Sequence, residues 1–469
     1  MKINKFLNIH MLYLFVIVML MLYYGNIRVT LIESSYSLYS IIEFHSLNII
    51  DNRYTIAFTN FIPALLSYFD FPVKMIACGL IFNYALPFIF TCFILKYKAS
   101  SYRYLAVFLL SYSCFNYYIF FLPIADYWIG FYTLFIIYRL LDDDSMMLNR
   151  NVRLLSLTAC SLISVISHLN LVVPLFTLLL YFAYYKKSIR MISVIPFLIT
   201  AFFLSGKLFL MTTDYENQFL SKKDDFNLES ILSGMDNLKF FLFTLADINI
   251  IFSVICCFVF YWLYANRKFY YLTVLLLMSF GYVMYINIFL GFSPYGYYIE
   301  GYYKFLGVLW CLVFYNLVEI KFKDKVVPVL YMLSLIQILI MGTRLDARYT
   351  SIAQLANASS KNTVYAFNYD ICPRGFYLIP IESLMINLLE NNKQNFFALK
   401  NNDDSEYLDV LHEILVYDNP NRKIKPDSNI VYRKMENMDM VLNTQISTEL
   451  FLDKKCQTIK YNKRKNFIF

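Results

Sequence analysis

Apolar stretches of membrane-crossing length follow one another from Phe6 to Met341, and short cationic links separate them. A crossing helix needs about 20 mostly apolar residues. This repetition points to an α-helical polytopic membrane protein. The charge content agrees: 16% of the residues are charged, against about 25% in soluble domains. The stretches are Phe6–Tyr24, Val73–Leu95, Tyr104–Leu122, Asp126–Leu141, Leu154–Tyr185, Met191–Met211, Asp247–Tyr264, Phe269–Phe292, Lys304–Ile320 and Val327–Met341. The run Leu154–Tyr185 is long for one helix and short for two, and Ser167-His168-Leu169-Asn170 interrupts it. It reads as two short helices meeting near one membrane face, which brings the total to about eleven spans.

The links set the orientation. If the spans alternate from a cytoplasmic N-terminus, one side collects Lys96, Lys98 and Arg103; Arg139, Arg150 and Arg153; Lys186, Lys187 and Arg190; Arg267 and Lys268; and Lys321, Lys323 and Lys325. The opposite links are longer and sparser in cations, with Arg28, Arg53 and Lys74, then Lys222, Lys223 and Lys239. Short cytoplasmic loops carry the excess of Lys and Arg, so the expectation is N-terminus in, C-terminus out, in the cytoplasmic membrane. The agreement depends on the split at His168, since a single tilted helix there flips every later span. The net charge of +8 is therefore topological, and no nucleic-acid partner is expected. Asp142-Asp143-Asp144 reads as a solvated cytoplasmic link.

Residues 1–343 then form a multi-pass transmembrane domain with a long first outer loop, 25–72, and residues 344–469 form an extracytoplasmic C-terminal domain. The tail mixes polar and apolar residues in a small α/β pattern. Thr363–Tyr369, Asn395–Leu399 and Asn429–Arg433 read as strands, and Ile381–Glu390 and Ser405–Leu415 as helices. Of nine cysteines, Cys372 and Cys456 alone lie in the tail. In an oxidising milieu they form either a disulfide or two buried thiols. No Cys/His spacing suggests a metal, and no cofactor is demanded.

The first outer loop carries the densest set of reactive groups: Glu33, Glu43, His45, Asp51 and Arg53. A carboxylate at the mouth of a bundle can deprotonate a hydroxyl as general base, and an Arg nearby can hold a phosphate. Glu33 and Asp51 are the candidate bases and Arg53 the candidate phosphate ligand. The plainer alternative is a set of solvated charges, with Arg53 paired to Asp51. Ile56–Phe69 is apolar enough to lie along the interface. His168, beside Asn170, is an ionisable group near membrane depth, which often marks function; the alternative is an interfacial histidine bonded to a carbonyl. Glu300 and Lys304 stand among Tyr295, Tyr297, Tyr298, Tyr302 and Tyr303. Tyrosines belong to interface belts by default, while aromatic faces with a cation also suit a sugar or a lipid phosphate.

This layout resembles the GT-C superfamily of membrane glycosyltransferases, which take a sugar from a polyprenyl-phosphate carrier on the outer face. The resemblance rests on topology, on the acidic first outer loop with its interfacial stretch, and on Asp51-Asn52-Arg53-Tyr54. That tetrapeptide is similar to an acidic-Arg-aromatic pattern in some bacterial members. It implies that Glu33, the nearest match by position, or Asp51 activates an acceptor hydroxyl for inverting transfer. Arg53, Lys304, Arg344 or Arg348 would then steady the leaving phosphate. Glu33 is followed by Ser34-Ser35, so the adjacent acidic pair of the family is missing. The implied partners are the lipid bilayer, a polyprenyl-phosphate-linked sugar and a glycan or lipid acceptor. A polysaccharide polymerase or transporter, or a non-catalytic assembly protein, remains the competing class. The repeated halves and matching Gly/Pro-broken helices of a transporter are not seen.

Overall fold

The computed structural model describes residues 2–31, 33–45, 47, 55–97, 102–117, 119–122, 125–142, 149–167, 171–175, 178, 196, 198–204, 249–289, 296–318, 320–358, 363–367, 379–391, 397–401 and 431–434. The helices are α1 (Lys2–Tyr23), α2 (Gly25–Thr30), α3 (Glu33–Phe44), α4 (Ile56–Tyr68), α5 (Val73–Lys96), α6 (Arg103–Ser113), α7 (Ala125–Asp142), α8 (Arg150–Ser167), α9 (Ile250–Ala265), α10 (Phe269–Phe289), α11 (Gly296–Leu317), α12 (Ile320–Ala358) and α13 (Ile379–Asn391). Strands β1 (Thr363–Phe367), β2 (Phe397–Asn401) and β3 (Val431–Lys434) pair in parallel in the order β2-β1-β3. Thr363 faces both Phe397 and Val431 in register.

Among the described residues, three helices are long and apolar enough to cross a membrane: Val73–Lys96, Phe269–Ile286 and Phe322–Gln354. Shorter apolar helices accompany them at Ile9–Tyr23, Ile56–Tyr68, Asn151–Ser167, Ile250–Ala265 and Tyr303–Leu317. The outer surface fits this reading. On α5, Phe82, Phe90 and Phe93 are about 60% exposed, a pattern that water would penalise and acyl chains would not.

Several expected boundaries move. The span expected over Tyr104–Leu122 is helical only to Ser113, because Cys114 is extended and Phe115 takes a left-handed φ of 53°. The loop expected over Ser293–Tyr303 is helical from Gly296. α12 runs unbroken from Ile320 to Ala358, so the boundary expected at 343/344 falls inside a helix. Asp142, expected to be solvated, is buried: its Oδ2 lies 3.2 Å from Arg103 Nη1 and accepts the Tyr104 hydroxyl at 2.9 Å. Among its described residues the expected outer loop 25–72 holds three helices, among them α4 close to the expected interfacial stretch. Ser405–Leu415, Cys372 and Cys456 lie outside the described residues.

The helices place two distinct polar layers at opposite ends of the bundle. At one end, Arg103 bonds Asn316, Arg139 donates to the carbonyls of Ile94 and Tyr97, and Lys323 Nζ donates to the Tyr315 carbonyl at 2.7 Å. These residues come from the cation-rich links. At the other end, Tyr24 packs edge-on against Phe121, and Arg344 Nη1 donates to the Tyr117 hydroxyl at 3.2 Å. Gly342 permits this closure, since a Cβ there would collide with the Tyr24 ring.

Candidate functional site

The second end is built from α2, the 114–122 segment, α12 and α13. α2 follows α1 after a single residue and packs on α1, α3, α5, α12 and α13. The Arg28 side chain is 4% exposed, Nε donates to the Phe120 carbonyl at 2.9 Å, and the guanidinium lies 5.2 Å from the Phe120 ring centroid. Nη1 is buried and has no partner among the described residues, and no described carboxylate pairs with the charge. Burial pulls the guanidinium below its ordinary value, yet arginine keeps its proton in proteins. A buried cation without a counter-ion is costly, so the arrangement suits an anion.

α13 seals the same end. It packs against α2, α3, α5 and α12, and Ile381, Ser383, Leu384, Met385 and Ile386 are all fully or almost fully buried. Its Glu382 carboxylate accepts a hydrogen bond from Arg348 Nη2 at 2.7 Å, both side chains being buried. Burial raises the Glu382 carboxyl above the usual carboxylate range, and Arg348 pulls it back in part. Arg348 Nε and Nη1 have no partner among the described residues.

The C-terminal end of α3 is strapped to α4. His45 ends α3 in a left-handed conformation, φ 50°. Its Nδ1 lies 2.9 Å from Ser67 Oγ, which itself donates to the Ile41 carbonyl at 2.7 Å. Two residues on, the Leu47 carbonyl accepts a hydrogen bond from Asn60 Nδ2 at 3.0 Å.

The structure places the expected site residues unevenly. Glu33 is the first residue of α3, and Glu300 lies in the N-terminal part of α11. Asp51, Arg53 and His168 lie outside the described residues. Lys304 takes a role other than the expected phosphate contact. It is fully buried, and Nζ donates to the carbonyls of Tyr112, Cys114 and Phe115 at 3.1, 3.1 and 3.2 Å. An ammonium has three hydrogens, so Lys304 is committed to the carbonyls that α6 leaves open at its C-terminus. The Trp128 ring, 4.7 Å away, supports the same charge. Arg28 was legible only as a sparse outer cation, and nothing local marked it as buried. Among the described residues no three His, Cys, Asp or Glu side chains converge on a metal-sized site.

No family model, no curated protein and no solved structure matches the chain.

Proposed function

We propose that the chain is a membrane glycosyltransferase of the cytoplasmic membrane, working on its outer face. In this reading about eleven spans run N-terminus in and C-terminus out, and the tail strands with α13 belong to an extracytoplasmic α/β unit. The donor is a sugar on a polyprenyl-phosphate carrier, and the acceptor is a glycan or a lipid-linked glycan. The observation that carries the proposal is Arg28, a buried guanidinium with an unpartnered Nη1 at the end of the bundle away from the cationic links. A lipid phosphate entering from the bilayer supplies the missing negative charge, and charge-assisted bonds to guanidinium are the strong ones.

The chemistry follows from that placement. An acceptor hydroxyl attacks the anomeric carbon as the bond from that carbon to the phosphate oxygen breaks. The phosphate leaves with the electron pair, and Arg28 stabilises the charge that grows on it. A base of the first outer loop takes the hydroxyl proton. The sequence offers Glu33 and Asp51 for that step, with Arg53 beside them. His168 and Glu300 are carried forward as substrate contacts.

The test is deletion of the gene in its native host, followed by mass spectrometry of surface glycans and lipid-linked sugars. Loss of a defined sugar, restored by the wild-type chain, supports transfer. An unchanged glycan profile overturns it.

A further inference from the structure

We infer that His45 is the base that takes the acceptor proton, a role that rests on the transferase reading above. Three observations lead there. The first is conformational. A non-glycine residue with positive φ is uncommon, and a left-handed residue closing a helix is usually Gly or sometimes Asn. Histidine takes this conformation more readily than most side chains, as His45 does here at φ 50°, and positions of this kind are enriched at functional sites.

The second is the tautomer. Ser67 has one hydroxyl hydrogen, and it is directed at the Ile41 carbonyl at 2.7 Å. Ser67 Oγ can therefore only accept from His45, so the 2.9 Å contact requires a hydrogen on Nδ1. In the neutral ring Nε2 then carries the lone pair. The bond made by one ring nitrogen sets the state of the other, and here a buried serine on α4 sets it for a basic Nε2.

The third is access. Ser67 is fully buried, whereas His45 is half-buried and its Nε2 has no partner among the described residues. The loop on either side is pinned, by Ser67 to Ile41 and by Asn60 to Leu47. The ring is fixed before a substrate arrives, which is what a positioned base needs. In the step, the acceptor O–H proton passes to Nε2 while the oxygen bonds to the anomeric carbon. The carrier phosphate departs with the pair from the broken bond, and the imidazolium later returns its proton to water. Ser67 is a positioning residue and touches no substrate.

The experiment uses the full chain in the deletion strain. Membranes are incubated with lipid-linked sugars extracted from the host, and the initial rate of product formation is read alongside the protein level. His45→Asn is the informative variant, because Asn tolerates the left-handed conformation and can still donate an amide N–H to Ser67, but it has no basic nitrogen. The expected result is a loss of at least about 100-fold at an unchanged protein level. Ser67→Ala is expected to lose part of the rate, and Ser67→Thr to recover it through the retained hydroxyl. His45→Asn at the wild-type rate overturns the assignment while the transferase reading stands, as does Glu33→Gln or Asp51→Asn abolishing a rate that His45→Asn keeps. Should His45→Asn not accumulate, a wild-type rate for Ser67→Ala overturns it equally. A deletion strain with unchanged glycans removes the transferase reading and this assignment together.

Discussion

The two ends of the bundle hold buried charge by the same means, except at Arg28. At the end drawn from the cationic links, Arg103 meets Asp142 and Asn316, Arg139 meets two carbonyls, and Lys323 meets a third. Charge there is matched by groups of the chain itself. At the other end Arg348 meets Glu382, whereas Arg28 donates to a single carbonyl, and neither its Nη1 nor its charge finds a partner among the described residues. Lys304, whose Nζ meets carbonyls of the same 112–115 stretch, shows that the chain can satisfy a buried cation there. The contrast separates charge used to hold helices together from charge left open for a ligand, and the second kind lowers stability unless function requires it.

Breaking the α12–α13 ion pair has the largest expected effect on stability. Arg348→Ala leaves the Glu382 carboxylate buried and alone, a change that costs about 3–5 kcal/mol. It should show as a lowered thermal midpoint of the detergent-solubilised protein. Replacing both residues with apolar ones, Arg348→Met with Glu382→Leu, should recover most of the loss. The pH dependence has a defined sign. The folded-state value of Glu382 lies above the ordinary carboxylate value, so proton binding favours the folded state. Stability is then lost as pH rises from the ordinary carboxylate range through the raised value, and Glu382→Gln flattens that slope.

Next in size are two changes that sharpen the distinction between structural and open charge. Lys304→Met strips the C-terminal cap of α6 and should cost about 1–3 kcal/mol, while product formed per folded molecule stays at the wild-type level. A selective loss of product would return Lys304 to the phosphate role that its sequence position suggested. Gly342→Ala forces a Cβ against the Tyr24 ring and should cost about 1–3 kcal/mol by overpacking. Trimming Tyr24 to Leu should relieve part of it. A comparable effect belongs to the opposite end. Arg103 is 33% exposed but its partner Asp142 carboxylate is 2% exposed, so Arg103→Gln, which keeps a donor and removes the charge, should cost about 1–3 kcal/mol and leave product per folded molecule at the wild-type level.

The sequence showed the spans more clearly than the site, for physical reasons visible at single residues. α5 begins at Val73 after Pro72 and ends at Lys96, close to the limits that hydropathy and a terminal cation suggest. The early end of α6 was not legible, because residues 114–122 are nearly as apolar as the helix before them. What caps the α6 end is Lys304, far along the chain. A helix runs through the expected 343/344 boundary for the converse reason: Arg344, Asp346 and Arg348 look like the start of a polar tail, yet Arg348 is buried against Glu382. Arg28 counted toward topology by its charge alone, and its burial depends on α13 and the 114–122 segment arriving from elsewhere. His45 belonged to the reactive cluster of the first outer loop, but its left-handed backbone and its bond to Ser67 exist only in three dimensions.

The most direct test of the central claim is Arg28→Gln, assayed for thermal midpoint and for glycan product in the deletion strain. An open, ligand-holding charge predicts that product is lost while the midpoint stays level or rises, since an unpaired buried cation has been removed. A variant that keeps wild-type product, or one whose product falls only in proportion to a falling midpoint, would contradict it.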